Sequence, residues 1–139
     1  MRPSGRFAFT TWAAPEENIA WRLLFDAVRA RGDPDAATAP PSGGNLVTVA
    51  AVLNLLREAG FAEPRAEPIR RQWLVAEPRD LVAGLARGTV RTAALILAQP
   101  PEAMTRIEAA VAEAAARYRC AGGFAVPIVA LLGQGTKPE

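Results

Sequence analysis

The sequence has few side chains that can act as nucleophiles. Its serines are Ser4 and Ser42, and Cys120 is its single cysteine. There is no histidine, so the commonest base for activating a serine or a cysteine is missing. Cys120 follows a predicted helix whose carboxyl end disfavours a thiolate, although Arg117 and Arg119 favour one. This balance predicts an inert structural thiol, and we assign no catalytic residue.

Phosphate-binding loops and metal sites are not indicated either. The sequence has no G-x-x-x-x-G-K-[ST] loop and no G-x-G-x-x-G loop. The Gly-Gln-Gly at 133–135 follows the last predicted strand, and we expect a tail there. Glu16 and Glu17 suit the start of a helix, and Asp33 and Asp35 suit a solvated loop. We therefore expect no metal and no cofactor bound by this chain alone.

Trp12 is the one candidate residue for ligand binding. It ends the first predicted strand, and ligands of open α/β sheets bind at the carboxyl ends of the strands. A core position for Trp12 is the alternative. Trp21 and Trp73 are predicted to pack in the core.

Composition narrows the class of protein. The 139 residues fit one domain, 1–139, and their net charge of +2 gives little attraction for nucleic acid. A single cysteine forms no intramolecular disulfide and fits a reducing cytoplasm. No targeting segment and no run long enough to span a membrane is evident. A cytoplasmic protein that binds neither nucleic acid nor membrane is predicted.

Hydrophobic periodicity predicts an α/β chain in the order β-α-α-β-α-α-α-β. Thr48 is expected to cap the second helix, and Gly60 to end it in the left-handed conformation. Residues 32–45 are rich in Pro, Gly, Ala and Asp and predict a loop. The predicted strands are 6–12, 66–75 and 124–132, and the predicted helices are 16–31, 49–59, 79–87, 89–98 and 102–118.

Three stretches together resemble one known family. R-P-S-G-R-F-A-F-T-T-W (2–12) is similar to the L-R-P-G-G-R turn and fifth strand of class I S-adenosylmethionine-dependent methyltransferases. L-L-R-E-A-G-F (55–61) resembles the end of the helix that follows in that family. Y-R-C-A-G-G-F-A-V-P-I-V-A-L-L-G-Q-G-T-K-P (118–138) resembles the last strand and tail of its small-molecule members, the type 11 and ubiquinone-biosynthesis-like set.

The resemblance implies an architecture. The three predicted strands would form a partial Rossmann-like sheet of mixed direction with about five helices, α+β in isolation. The last strand would lie antiparallel between the other two. Helices in 16–31 and 79–118 would form the lid over the substrate.

The resemblance also implies an absence. The family holds its cofactor with a glycine-rich loop and an acidic residue on its first two strands, and nothing here matches either. We carry over no cofactor-binding residue, and Trp12 alone as a substrate-side candidate. Ser4 stands where the family usually has Gly. We expect the C-terminal, substrate and lid portion of a small-molecule methyltransferase, truncated or split and inactive alone.

Two other functions stay open. One is a non-catalytic binding or regulatory module, acting as a homodimer through the edge of strand 6–12 or pairing with a separate N-terminal half. The reason for this alternative is an apolar strand whose partner in the family fold is missing, because an unpaired strand edge can pair with another chain. The other is a small-ligand carrier that uses the lid helices as a pocket.

Overall fold

A computed structural model describes residues 2–37 and 46–138. The described chain has five α-helices, four strands and one 3₁₀ turn, and their order confirms the predicted α/β class. The strands are β1 (Arg6–Trp12), β2 (Ala62–Val75), β3 (Arg119–Cys120) and β4 (Gly123–Thr136). The helices are α1 (Ile19–Arg31), α2 (Val49–Glu58), α3 (Arg79–Gly88), α4 (Val90–Leu97) and α5 (Pro101–Ala115).

The sheet has β4 at its centre. The strand order is β1-β4-β2, and the short β3 pairs with the start of β4. Neighbouring strands are antiparallel, so β1 and β2 run in the same direction on either side of β4. The β1–β4 register runs from Arg6 opposite Thr136 to Trp12 opposite Ala130. The last strand therefore lies antiparallel in the middle, as predicted.

The described chain divides into two compact units. The first, which we call unit 1, comprises 1–18, 43–71 and 129–139, and unit 2 comprises 19–42 and 72–128. Each has its own cluster of buried apolar side chains. The assignment of 1–139 to a single domain stays a prediction.

Unit 1 is built on helix α2. The Thr48 hydroxyl accepts a hydrogen bond from the Ala51 N–H (3.1 Å), which confirms the predicted cap. Gly60 has φ +76° and lets the N–H of Phe61 reach the Leu56 carbonyl at 3.0 Å. Ending the helix in this way returns Phe61 to the core. The buried side chains of unit 1 are Ala13, Val52, Leu56, Val129 and Leu131.

Unit 2 holds the larger core. Helices α1 and α5 pack along each other, and α3 packs on both. Gln99 is buried after α4; its side chain accepts from the Asp33 N–H (2.9 Å) and donates to the Asp33 carbonyl (2.7 Å). Trp21 and Trp73 pack against this core, as predicted. Its most deeply buried side chains include Leu24, Val28, Leu81, Leu85, Ile107, Val111 and Val126.

Several boundaries differ from the sequence prediction. The predicted helix 102–118 becomes α5 and the 3₁₀ turn Ala116–Tyr118, and the short strand β3 that follows was not predicted. Strand β4 continues to Thr136, so the predicted tail begins with strand residues. Strand β2 begins at Ala62, four residues before the predicted start, although it contains two prolines. Helix α1 begins at Ile19 rather than residue 16. Residues 15–17 form a turn, and the Asn18 side chain is hydrogen-bonded to the backbone of Ala13 and Val129.

Part of the predicted 32–45 loop and one candidate nucleophile lie outside the described residues. Asp33 and the residues to 37 form turns after α1, whereas 38–45, with Ser42, are not described. Among the helices that are described, none has the length and apolar character needed to cross a membrane.

Candidate functional site

Trp12 lies at the end of β1, opposite Ala130 of β4. Its side chain is 47% exposed, so it is not the fully buried core residue that was the alternative. Ala13, directly after it, is buried in the unit 1 core. The structure thus places an exposed indole at the carboxyl end of a strand; its role in substrate binding stays a prediction.

Asn18 fixes the chain just beyond Trp12. Its side chain is buried, and its Nδ2 group donates to the carbonyl oxygens of Ala13 (2.8 Å) and Val129 (3.0 Å). Its Oδ1 accepts from the Val129 N–H (2.9 Å). One amide therefore satisfies backbone groups of two segments and joins the end of β1 to β4. Sequence reasoning missed this residue, because an asparagine after Pro-Glu-Glu suggests a helix cap or a turn.

The backbone of β1 is bonded to β4 along one side. The Ala13 N–H donates to Val129 (3.0 Å), and the Gly5 carbonyl accepts from Lys137 (2.8 Å). Because antiparallel hydrogen bonding alternates along a strand, the odd-numbered residues of β1 direct their backbone N–H and C=O groups toward β4. Arg6, Ala8 and Thr10 consequently turn their N–H and C=O groups away from it. Among the described strands, β1 pairs with β4 alone.

The odd-numbered side chains of β1 pack toward α2. Phe9 joins the unit 1 core, and Phe7 stacks on Phe61 with ring centroids 5.2 Å apart. Phe7 is nevertheless 40% exposed. The even-numbered residues Ala8 and Thr10 are also exposed. Strand β1 therefore presents two exposed aromatic rings, and its outward backbone groups pair with no other described strand.

A groove in unit 2 is a second candidate site. It runs between α1 and α5 and has a volume of about 540 Å³. Four alanines and Leu23 line it, and its one carboxylate, Asp26, already forms an ion pair with Arg29. Three arginines therefore dominate its charge. The lining residues with a role here are Arg22, Arg31, Arg117, Ala27, Ala30, Ala110 and Ala114.

Among the residues that the structure describes, the candidate reactive groups do not assemble into a catalytic cluster. Cys120 is exposed and lies in the short strand β3, two residues after the 3₁₀ turn that follows α5. Glu17 forms an exposed ion pair with Arg70 (3.1 Å), which is worth little in water. Asp33 accepts from the Asp35 N–H (2.9 Å) in its own turn. Within residues 2–37 and 46–138, no three His, Cys, Asp or Glu side chains form a metal-binding group.

No model of a known protein family matches the chain, and a search of the curated proteins finds no match either. The function is therefore inferred from the sequence motifs, the strand order and the edge of β1.

Proposed function

We propose that this chain is the C-terminal, substrate and lid portion of a class I S-adenosylmethionine-dependent small-molecule methyltransferase. The strand order carries the proposal. Strand β4 lies antiparallel between β1 and β2, which is the order that the resemblance implies for the end of such a sheet. Strand β1 would then pair, on its outer side, with the next strand of the complete sheet.

The motifs behind the resemblance have structural roles that support this proposal. In L-L-R-E-A-G-F, Gly60 ends α2, and Phe61 packs back beside Leu56. In R-P-S-G-R, the Gly5 N–H donates to the Arg2 carbonyl (3.0 Å) across a turn that leads into β1. Ser4 has φ +58° in this turn, a conformation that glycine adopts most easily. The glycine of the related turn thus has a physical reason.

The chain alone is expected to lack activity. The glycine-rich loop and the acidic residue that hold the family's cofactor have no counterpart in these residues. Trp12 is the proposed substrate-side residue, because its exposed ring lies at the carboxyl end of β1. The cytoplasm is the proposed compartment, since a single cysteine suits a reducing environment.

Cofactor binding tests the proposal in two steps. Calorimetry of the chain with S-adenosylmethionine should show no binding, and micromolar affinity would contradict the proposed division of the fold. The cofactor-binding half of a small-molecule class I methyltransferase should then be fused before Arg2. This fusion is expected to bind S-adenosylmethionine, and the same fusion carrying Thr10→Pro is the control for strand pairing. A folded fusion that does not bind the cofactor would also contradict the proposal.

The alternative is a non-catalytic binding or regulatory module. The exposed edge of β1 favours it, because that edge is available to a second copy or to a separate N-terminal half. Full biological function without any methyl transfer, in a strain that retains this chain, would favour the module over the enzyme portion.

The groove between α1 and α5 favours a third role, a carrier for a small anionic ligand. Arg22, Arg31 and Arg117 would bind a carboxylate, and the lining alanines would contact an apolar body. A thermal-shift screen with alkyl and aryl carboxylates tests this role. Stabilisation that Arg117→Ala removes would support it, and an unchanged melting temperature with every carboxylate would contradict it.

A further inference from the structure

The outer edge of β1 presents a self-complementary set of hydrogen-bonding groups. Ala8 and Thr10 each turn one N–H and one C=O outward, and both side chains are exposed. An antiparallel strand placed on this edge bonds through residues that face it directly. Two copies of β1 meet this condition when Ala8 of one lies opposite Thr10 of the other. Each copy then donates from both residues and accepts at both.

We propose that two copies of this chain pair through the outer edges of β1, antiparallel about a two-fold axis that passes beside Phe9. The pairing joins two sheets into one with the order β2-β4-β1-β1-β4-β2. It gives the register and residues for the second copy that the alternative function allows, and it depends on the backbone edge and on no cofactor or substrate. The same edge would accept the next strand of a complete methyltransferase sheet, so the two occupants exclude each other.

The side chains of β1 fit this register as well. With Ala8 opposite Thr10, Arg6 of each copy lies opposite Trp12 of the other. Both side chains are on the same face of the strand, and directly opposed residues are about 5 Å apart at Cβ. A guanidinium beside a half-exposed indole makes a cation–π contact. The two-fold axis repeats this contact, so one register satisfies both the backbone and the side chains.

The sequence of β1 contains none of the usual devices that prevent edge pairing. Natural edges are blocked by proline, by bulges and by several charges. Strand β1 has no proline and no left-handed residue, and Arg6 is its one charge. That charge lies at the strand's first residue and leaves Ala8 and Thr10 accessible. Among the described residues, no strand other than β4 pairs with β1, and its outer edge fits a partner of its own sequence.

Sedimentation and light scattering from micromolar to hundreds of micromolar protein test the pairing. We expect a mass near twice 14.7 kDa at the upper end. Thr10→Pro removes one outward N–H from each copy and leaves the bonds to β4 intact. It should weaken the dimer roughly 30- to 150-fold, and Thr10→Val, which keeps the N–H, should change the affinity less than about threefold. Arg6→Ala should weaken it about 5- to 30-fold through loss of two cation–π contacts.

Hydrogen exchange of single amides tests the register separately from the mass. The amides of Ala8 and Thr10 should exchange slowly in the dimer and fast on dilution, while those of Phe9 and Thr11 stay protected in both states. If Thr10→Pro does not fold, Ala8→Pro gives the same test. A monomer throughout the concentration range would overturn the proposal. So would a dimer that Thr10→Pro leaves intact, or one in which the Ala8 amide exchanges freely.

Discussion

The two edge strands of the sheet, β1 and β2, differ in how readily another strand could pair with them. Strand β1 is short, regular and aromatic, with Arg6 as its single charge. The unit 1 part of β2, residues 62–71, carries two prolines, a left-handed residue and alternating charge. Proline has no N–H to donate, and a left-handed residue interrupts regular pairing. Charged side chains along an edge also disfavour pairing with another strand. The residues of β2 that carry these features are Glu63, Pro64, Arg65, Glu67, Pro68, Arg70 and Arg71.

This difference indicates which edge is an interface. Two edges of one sheet are exposed to the same risk of aggregation, so protection of one of them shows that the risk was relevant to this chain. The absence of protection on β1 then fits an edge that is normally covered. Both the proposed methyltransferase sheet and the proposed dimer cover β1, and neither needs a partner at β2.

The largest expected effect comes from breaking the connection that holds β1 against β4. Asn18→Ala removes three hydrogen bonds and leaves the Val129 N–H and the Ala13 carbonyl without their side-chain partner. We expect a loss of about 3 kcal/mol in the free energy of unfolding, since each unsatisfied buried group costs roughly 1–3 kcal/mol. Urea unfolding of the variant measures this loss.

Asn54→Ala is the matched control for Asn18→Ala. Asn54 is exposed on α2 and accepts a hydrogen bond from Arg57 at 3.2 Å. Its removal should change the stability by less than about 0.5 kcal/mol, as for most surface positions. Equal losses at the two asparagines would contradict the role given to Asn18.

The next effect concerns the packing of β1 on β4. A Cβ atom at Gly133 would lie 2.6 Å from Val52 Cγ1 and 2.7 Å from the Phe9 ring, which are both in the unit 1 core. Gly133→Ala should therefore destabilise the chain by about 1–3 kcal/mol through overpacking. Gly88→Ala, where a Cβ meets nothing within 4 Å, should be neutral or slightly stabilising. Thermal melts of the two variants compare them directly, and equal melting temperatures would exclude tight packing at Gly133.

Gly133 also shows where the sequence prediction stopped. A Gly-Gln-Gly stretch suggests a tail, yet Gly133 and Gly135 lie inside β4. These two strand positions are occupied by glycine because neighbouring side chains leave no space for a Cβ atom. Such a requirement comes from tertiary contacts and is not visible in local propensity. The predicted strand 66–75 included Pro68 but not Pro64, although an edge strand tolerates proline.

Signals contained within one element were predicted well. Strand β1 has the predicted bounds, and Thr48 and Gly60 cap α2 as expected. Asn18 was not predicted, because its partner Val129 is 111 residues away in the chain. Trp12 was placed correctly at the strand end from the sequence alone, whereas the direction of the β1 backbone groups required the register with β4.

A smaller effect is expected from opening the protected edge. The double variant Pro64→Val and Pro68→Val returns two N–H groups to β2 and raises its β propensity. Removing each proline costs about 0.4–1 kcal/mol through the unfolded state. The variant should associate beyond a dimer at high concentration, because both edges are then open. Light scattering checks this, with Pro100→Ala as the control outside the sheet; an unchanged mass would show that the prolines do not protect β2.

The smallest effect concerns the turns at which the two edge strands begin. Ser4 has φ +58° before β1, and Glu63 has φ +49° near the start of β2. A non-glycine residue in this conformation is strained by roughly 1 kcal/mol. Substitution by glycine removes this strain, but the greater conformational entropy of glycine in the unfolded chain offsets part of the gain in stability. Ser4→Gly should therefore stabilise the chain by about 0.5 kcal/mol in urea unfolding. Ser4→Ala keeps the strain and should give no stabilisation.

Glu63→Gly relieves the same strain but removes a charge from the β2 edge, so a gain in stability should come with more association. If Ser4→Gly also promotes association, the turn before β1 contributes to protecting its edge, and the contrast between the two edges is weaker than their sequences indicate.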